Sequence, residues 1–299
     1  MLKFKEKETK SQTEAVAMQV SSVSIFVNLA LSLLKLVAGI VASSQAMVSD
    51  AVHSASDVFS TIIVMIGVHI SEKTEDEDHP YGHEKFECVA AFILSVVLAL
   101  TGLAIGYTGL QAIASADYKH LAVPGLLSLV AAIISIAVKE WMYHYTVKAA
   151  KKINSSALKA DAWHHRSDAL SSIGALIGIL FARAGYPIMD PIASLVICIF
   201  ILKAALDIFT DAVNKVVDKA CPDDMVAEMR AQILSMPGVE GISWMKTRQF
   251  GARAYLDVAI KIDGDKPLTE AHAIAQRVHD EIEASFPSVK HCMIHEDPL

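Results

Sequence analysis

The sequence predicts an α-helical membrane protein with six transmembrane helices, followed by a small α+β domain at the C-terminus. Three observations support this prediction. Long apolar stretches fill residues 20–210, short connectors separate them, and residues 213–299 have the composition of a soluble domain. Apolar residues make up 53% of the chain, against the roughly 45–50% of soluble domains, and the excess is concentrated in the N-terminal part.

The six predicted spans follow from length and composition, because a bilayer-crossing helix needs about 20 mainly apolar residues. Helices are expected because backbone groups in lipid must form hydrogen bonds within their own segment. No stretch alternates apolar and polar residues with period two, as a membrane-spanning strand would. Lys139 and Glu140 are expected at the cytoplasmic end of the fourth span. Lys35 is assigned no transport role, since a lysine can snorkel or pair with a neighbour. The predicted spans are 18–42, 46–70, 87–113, 121–143, 157–184 and 188–209.

Lysine and arginine in the connectors predict the orientation. The segment 1–17 carries four lysines and the connectors 71–86 and 144–157 carry two and three, whereas the opposite connectors carry only Lys119 and Arg183. Because positive loops stay in the cytoplasm, both termini are expected there. The predicted organisation is a cytoplasmic segment 1–17, a transmembrane domain 18–212 and a cytoplasmic domain 213–299.

The C-terminal domain is predicted to have the order αββαβ, a ferredoxin/metallochaperone-like arrangement. Apolar spacing, strand formers and turn residues indicate its elements. These are helices over 223–236 and 268–285, and strands over 239–249, 253–262 and 289–295.

Charge and cysteine content exclude several classes of protein. The net charge of −7 argues against a nucleic-acid partner, which requires a basic surface. The four cysteines form no CxxC pair, so neither a disulfide framework nor a thiolate zinc site is expected, which suits a reducing compartment. The N-terminus lacks the apolar core and cleavage site of a signal peptide.

A repeated octapeptide carries the predicted chemistry. Residues 50–57 and 161–168 both read D-A-x-H-x-x-S-D, one in the second span and one in the fifth. On a helix, positions i, i+3 and i+7 share a face, so each repeat aligns its histidine and both aspartates. Burying charge in a membrane costs roughly 2.5–3.5 kcal/mol per residue, which a bound cation would offset. The predicted ligands of a divalent ion are His53, Asp57, His164 and Asp168.

Two imidazoles and two carboxylates suit tetrahedral zinc and tolerate other first-row divalent ions. Asp50 and Asp161 lie one turn nearer the helix starts, where they orient the ligands or line an access path. His165, about 100° around the helix from His164, is expected to orient or pack. The competing interpretation is that these polar residues hydrogen-bond across the bundle and bind no ion.

Beyond the repeat, the chain resembles the cation diffusion facilitator family. Within that family it is similar to a bacterial divalent metal cation/proton antiporter. The resemblance covers nearly the whole length and rests on HxxxD in the second and fifth spans, on the segments 76–87 and 154–168, and on the αββαβ domain. It implies a homodimer in the inner membrane that exchanges cytoplasmic divalent metal for protons by alternating access. It also implies no enzymatic activity and no catalytic cofactor.

The same resemblance implies further residue roles. Asp76, His79 and His83 match a metal site in the loop after the second span. Lys85 and Asp218 match a pair that couples the membrane helices to the soluble domain at the dimer contact. In the C-terminal domain, Ser243 and Ala259 replace two strand histidines of zinc-exporting relatives. The ligands left for a looser C-terminal site are Asp257, His272, His295 and Asp297, while His279 and His291 are expected on the solvated surface.

Three functional hypotheses remain at this stage. The first is export of Zn²⁺, with Fe²⁺, Cd²⁺, Co²⁺ or Mn²⁺ as other ions. The missing strand histidines make iron a serious alternative to zinc, and the histidine pair disfavours manganese. The second is an intramembrane metalloenzyme, which the absence of HExxH opposes. The third is a metal-sensing scaffold that does not transport.

Overall fold

The structure is a computed structural model that describes residues 2–41, 45–115, 126–183, 186 and 188–299. The chain divides into two compact units, Met1–Ala212 and Val213–Leu299. Each unit has its own buried apolar core.

Long helices dominate the first unit. Helix α2 packs against α1, α3 and α5, and α4 forms a close pair with α5. Their bounds are α1 Leu2–Val41, α2 Gln45–Ser71, α3 Lys85–Ser115, α4 Leu126–Ile153, α5 Ser156–Arg183 and α6 Met189–Val216.

Helix α4 is longer than the sequence predicted. The prediction placed a connector over 144–157, whereas α4 continues to Ile153. Alanines and lysines in this stretch are strong helix formers, and Lys151 and Lys152 lie in the last turn, where they complement the helix dipole. The turn into α5 is tight, with Asn154 at φ 54° and the Ser155 amide donating to the Ala150 carbonyl at 2.9 Å. Helices α4 and α5 therefore form a hairpin.

Small residues bring α2 and α3 into close contact. A Cβ atom added at Gly67 would lie 2.4 Å from the Cβ of Ala90 and 3.6 Å from the Phe86 carbonyl oxygen. Cβ atoms are never found so close together, so the spacing of these two helices requires glycine at position 67.

Large apolar side chains cover the outside of the first unit, including Phe26, Leu33 and Leu103, which are each more than half exposed. An apolar surface of this kind suits contact with lipid. Among the described residues, Thr13–Ala38 and Lys85–Ser115 are long and apolar enough to cross a membrane, and Asp57–Ser71 is a shorter apolar stretch. Helix α5 carries charged residues within its length. The six-span arrangement therefore stays a prediction.

The second unit has the predicted αββαβ order. Its elements are α7 Asp223–Leu234, β1 Gly241–Phe250, β2 Arg253–Ile262, α8 Leu268–Ser285 and β3 Val289–Pro298. Strand β2 is central, antiparallel to β1 and parallel to β3. A two-residue turn beginning at Gly251, with φ 61°, joins β1 to β2, as short hairpins require. Alternate residues of β2, among them Leu256, Val258 and Ile260, are fully buried in the core with α7 and α8.

The thiol of Cys292 on β3 is expected to resist alkylation in the folded protein. Burial raises its pKa to about 12, and the carboxylates of Glu283 and Asp257 contribute in the same direction. Because the thiolate is the nucleophile, iodoacetamide at pH 8 should leave Cys292 unmodified in the native chain and modify it after unfolding in guanidinium. Peptide mass spectrometry gives the alkylated fraction of Cys292 in the native and in the unfolded sample. Equal labelling of the native and unfolded samples would contradict the burial of this side chain.

Candidate metal centre

Helices α2 and α5 bring three residues of the repeated octapeptide together. Asp57 lies on α2, and His164 and Asp168 lie one turn apart on α5; all three are buried. One ligand atom from each lies within 4.8 Å of the others, and His164 Nε2 is 3.4 Å from Asp57 Oδ1. Nitrogen and oxygen atoms so grouped can close on a first-row divalent ion with small side-chain shifts.

His53, the fourth predicted ligand, lies on α2, but its side chain falls outside the described residues, as does that of Asp50. The described geometry therefore includes three of the four predicted ligands.

A lysine that the sequence analysis placed elsewhere completes this cluster. Lys139 on α4 was expected at the cytoplasmic end of a span, and that prediction is wrong: its side chain is 2% exposed. Its Nζ donates to Asp57 Oδ2 at 2.5 Å and to Asp168 Oδ2 at 2.8 Å. An ammonium buried at this depth requires such partners, because an unpaired charge would be very costly. We call Asp57, Lys139, His164 and Asp168 the buried ion cluster.

A second buried pair lies beside the cluster. Asp161 and His165 are fully buried on α5, with His165 Nε2 at 3.5 Å from Asp161 Oδ2. The Thr61 hydroxyl on α2 donates to Asp161 Oδ1 at 3.2 Å. Neither residue belongs to the three-ligand group; Asp161 links α5 to α2 through Thr61, and His165 contacts Asp161 on its own helix.

A cavity of about 280 Å³ borders the buried ion cluster. Lys35, which the sequence analysis set aside, lies in its wall, and its Nζ donates to the Ser54 hydroxyl at 2.8 Å. Besides these two, the polar lining includes Asp57, Ser135, Lys139, Ser167, Asp168 and Ser172.

The predicted loop ligands also lie together. One ligand atom each from Asp76, His79 and His83 falls within 4.8 Å of the others. His83 is buried and its Nδ1 contacts the Thr74 carbonyl at 3.1 Å, which leaves Nε2 at 3.3 Å from Asp76 Oδ2. The backbone N–H of His79 holds the pKa of the Asp76 carboxyl below its ordinary value, so this oxygen ligand is deprotonated at neutral pH.

Replacing His83 by alanine is expected to remove one metal equivalent per chain from the loop. Calorimetric titration of the purified full-length chain with Zn²⁺ gives the stoichiometry. His144→Ala is the matched control, because His144 is exposed and its Nε2 lies 3.3 Å from Glu140 Oε1 on the same helix. Unchanged stoichiometry in His83→Ala would exclude a loop metal site.

The four predicted C-terminal ligands do not converge. His295 Nε2 lies 3.2 Å from Asp297 Oδ1, but His272 on α8 is mostly exposed and lies 4.0 Å from Glu296 instead. Successive side chains of β3 point to opposite faces of the sheet, so Glu296 faces the helix layer and His295 faces away from it. Within 213–299, all of which is described, no three metal-ligating residues place one ligand atom each within 4.8 Å of one another.

His279 and His291 were expected on the solvated surface; the structure corrects this for His279, whereas the His291 side chain is 44% exposed. His279 is half-buried, with Nδ1 at 2.6 Å from the Cys292 carbonyl and Nε2 at 3.3 Å from Glu283 Oε1. His291 Nδ1 lies 3.9 Å from the same oxygen. The mostly buried Glu283 carboxylate draws both imidazoles to the α8–β3 contact.

Lys85 and Asp218, the predicted coupling pair, belong to different units. Lys85 begins α3. Asp218 has φ 62°, and its Oδ2 lies 3.9 Å from Arg248 Nη1 within its own unit.

Comparison with known proteins identifies the family. A family model described as the cation efflux transmembrane domain matches residues 21–215, and one described as the cytoplasmic domain of cation efflux proteins matches residues 221–299. The chain belongs to the cation diffusion facilitator family. Membership makes this facilitator a membrane protein and a transporter of divalent metal cations, and not an enzyme.

Relatives of this facilitator align over almost the whole chain. The uncharacterized transporter MJ0449 of Methanocaldococcus jannaschii is 35% identical over 92% of this chain and 95% of the relative. The manganese efflux system protein MneP of Bacillus subtilis is 32% identical over 96% and 98%. The magnetosome protein MamB of Magnetospira is 30% identical over 92% and 93%.

A solved structure of CzrB matches the C-terminal part of the facilitator. It is 26% identical, with a TM-score of 0.25, and covers 26% of this chain and 98% of that chain.

Proposed function

We propose that this facilitator exports a first-row divalent transition metal, zinc foremost, from the cytoplasm in exchange for protons. The observation that carries the proposal is the buried ion cluster, in which Asp57, His164 and Asp168 place one ligand atom each within 4.8 Å of one another. In this proposal the protein is a homodimer with six spans per chain and both termini in the cytoplasm, in the inner membrane, and it works by alternating access.

The ligand chemistry supports a transition metal. An imidazole nitrogen beside two carboxylates suits zinc, whereas magnesium and calcium prefer oxygen ligands alone. His53, one turn before Asp57, is the fourth ligand in this proposal. Because protonated imidazole cannot bind metal, protons arriving from the outside displace the ion, and loss of those protons in the cytoplasm restores the site.

Manganese is the second candidate cargo. Carboxylates outnumber imidazoles among the three described ligands, and oxygen ligands suit manganese. Two relatives, MneP and MneS of Bacillus subtilis, are named manganese efflux system proteins. Fe²⁺, Cd²⁺ and Co²⁺ remain ions to compare with both.

Other residues take supporting parts in the proposal. Asp76, His79 and His83 hold a further ion at the loop, and Lys85 and Asp218 couple the membrane helices to the cytoplasmic domain. In the C-terminal domain His295 and Asp297 lie 3.2 Å apart and Asp257 and His272 do not join them, so this proposal gives the domain at most a weak metal site at the pair.

The test uses purified protein in liposomes that contain a metal-sensitive dye. Zn²⁺, Mn²⁺, Fe²⁺ and Cd²⁺ are applied separately, with and without a pH gradient, while lumenal pH is followed. Zinc uptake with matching proton efflux is expected, and faster manganese uptake would make manganese the cargo. Tight binding without flux of any ion would overturn transport in favour of a metal-sensing scaffold.

A further inference from the structure

The carboxylates of the buried ion cluster already hold a cation that belongs to the chain. Lys139 bridges Asp57 and Asp168 through one oxygen of each, at 2.5 and 2.8 Å. A metal ligated by these residues would take oxygens about 2.0–2.2 Å from its centre. The ion and the ammonium therefore compete for the same small volume between the two aspartates.

Charge makes this competition strong. Two carboxylates and one ammonium give the cluster a net charge of −1, apart from the histidines and from Lys35 in the cavity wall. Adding a divalent ion while the Lys139 ammonium stays would leave one net positive charge between the aspartates, whereas movement of that ammonium away from them leaves none there. Since uncompensated charge in a membrane is costly, the ammonium and the metal disfavour each other at this position.

The cavity provides a second position for the ammonium. Ser135 lies one turn before Lys139 on α4, and Ser167 precedes Asp168 on α5; both are buried and line the same cavity. Neither hydroxyl has a hydrogen-bond partner among the described residues. Buried polar atoms are nearly always paired, and a lysine ammonium can donate three hydrogen bonds, so these two oxygens are suited to receive it.

We propose that Lys139 is a tethered counter-cation. Its ammonium binds the carboxylates of Asp57 and Asp168 while no metal is bound, and it moves to the Ser135 and Ser167 hydroxyls when metal binds. The proposal rests on the transport function proposed above. It gives Lys139 two effects on the cycle. The ammonium weakens metal binding, and its return to Asp57 and Asp168 assists metal release.

The test compares equilibrium affinities of the full-length chain in detergent for Zn²⁺ and for Mn²⁺ at fixed pH. Lys139→Met should bind about tenfold more tightly or better. Ser135→Ala should bind roughly two- to fivefold more weakly, because the displaced ammonium loses a receiving oxygen. Lys203→Met is the matched control. It removes an exposed ammonium on α6 and leaves the Lys139 bridge intact, so its affinity should stay within about twofold of wild type.

Liposome flux provides an independent measurement. Lys139→Met should transport more slowly than wild type despite binding more tightly, since no ammonium returns to displace the ion. If wild-type flux is present and Lys139→Met binds with unchanged or weaker affinity, this inference fails and the proposed function stands. If wild type binds metal without flux but Lys139→Met binds more tightly, transport fails and the competition stands. Absence of any metal binding by the wild-type cluster would overturn both.

Removing Lys139 leaves two carboxylates without their cation, so the variant is also purified with Zn²⁺ present. Size-exclusion chromatography reports whether it is folded. A variant that is monodisperse only with metal supports the proposal, because the metal then replaces the ammonium. If it is aggregated under both conditions, Ser135→Ala decides alone, and unchanged affinity in that variant overturns the proposal.

Discussion

Asp168→Asn is expected to abolish metal flux in liposomes while leaving the protein folded. The amide has the shape of the carboxylate but lacks its charge, so the site loses a metal ligand and Lys139 loses one of its two partners. Substitutions outside a ligand set already cost about 10–100-fold in metal affinity, so flux should fall by about 100-fold or more. The measurement is the initial rate of dye response with the preferred ion.

Asp207→Asn is the control for this experiment, since Asp207 is an exposed aspartate on α6. It should transport at the wild-type rate. Both variants should elute from size exclusion at the wild-type volume. Normal flux in folded Asp168→Asn would remove Asp168 from the transport site, and a matching result for Asp57→Asn would remove the whole assignment.

Gly67→Ala is expected to destabilise the transmembrane unit markedly. The new methyl group would lie 2.4 Å from the Cβ of Ala90, on the facing helix, so α2 and α3 must separate. Overpacking typically costs about 1–3 kcal/mol, which corresponds to a melting temperature roughly 5 °C lower for a unit of this size. Thermal unfolding in detergent, followed by intrinsic fluorescence, gives the shift.

The double variant Gly67→Ala/Ala90→Gly tests the cause, because it moves the methyl group from one helix to the other. It should recover most of the lost melting temperature. Gly241→Ala is a neutral comparison, since its added Cβ would meet Lys261 Cδ at an ordinary 3.5 Å. A double variant no more stable than Gly67→Ala would show that the α2–α3 spacing does not depend on this contact.

The ligand group could be predicted from the sequence because it depends on local geometry. His164 and Asp168 share a face of α5 through helical spacing alone, and the repeat pointed to Asp57 on a partner helix. Asp76, His79 and His83 were likewise close in sequence. The αββαβ order followed from local periodicity and turn residues in the same way.

Lys139 was missed because its role depends on tertiary structure. A lysine beside Glu140 looks like the end of a span, and no local pattern shows that two aspartates from other helices surround it. A signal was nevertheless available. Apolar and aromatic residues continue beyond the lysine through Trp141 and Met142, and the paired carboxylates of the repeat needed a cation.

The C-terminal ligands failed to converge for a similar reason. Side-chain direction on β3 depends on the register with β2, which pairs Ala259 with His295 and Asp257 with Met293. That register places His295 on the sheet face opposite α8, which carries His272. Sequence spacing alone does not give this register.

The tight turn at Asn154 has a mechanical consequence. Lys139 on α4 and Asp168 on α5 are separated from Asn154 by nearly equal numbers of residues. At about 1.5 Å per residue, both lie roughly 20 Å from the turn. In the proposed alternating-access cycle, a hairpin moving about this turn would carry Lys139 and Asp168 together, so their separation would be preserved. Asp57 lies on α2, outside the hairpin. Such a motion would therefore change the distances from Lys139 and Asp168 to Asp57, and with them the geometry of the ligand group.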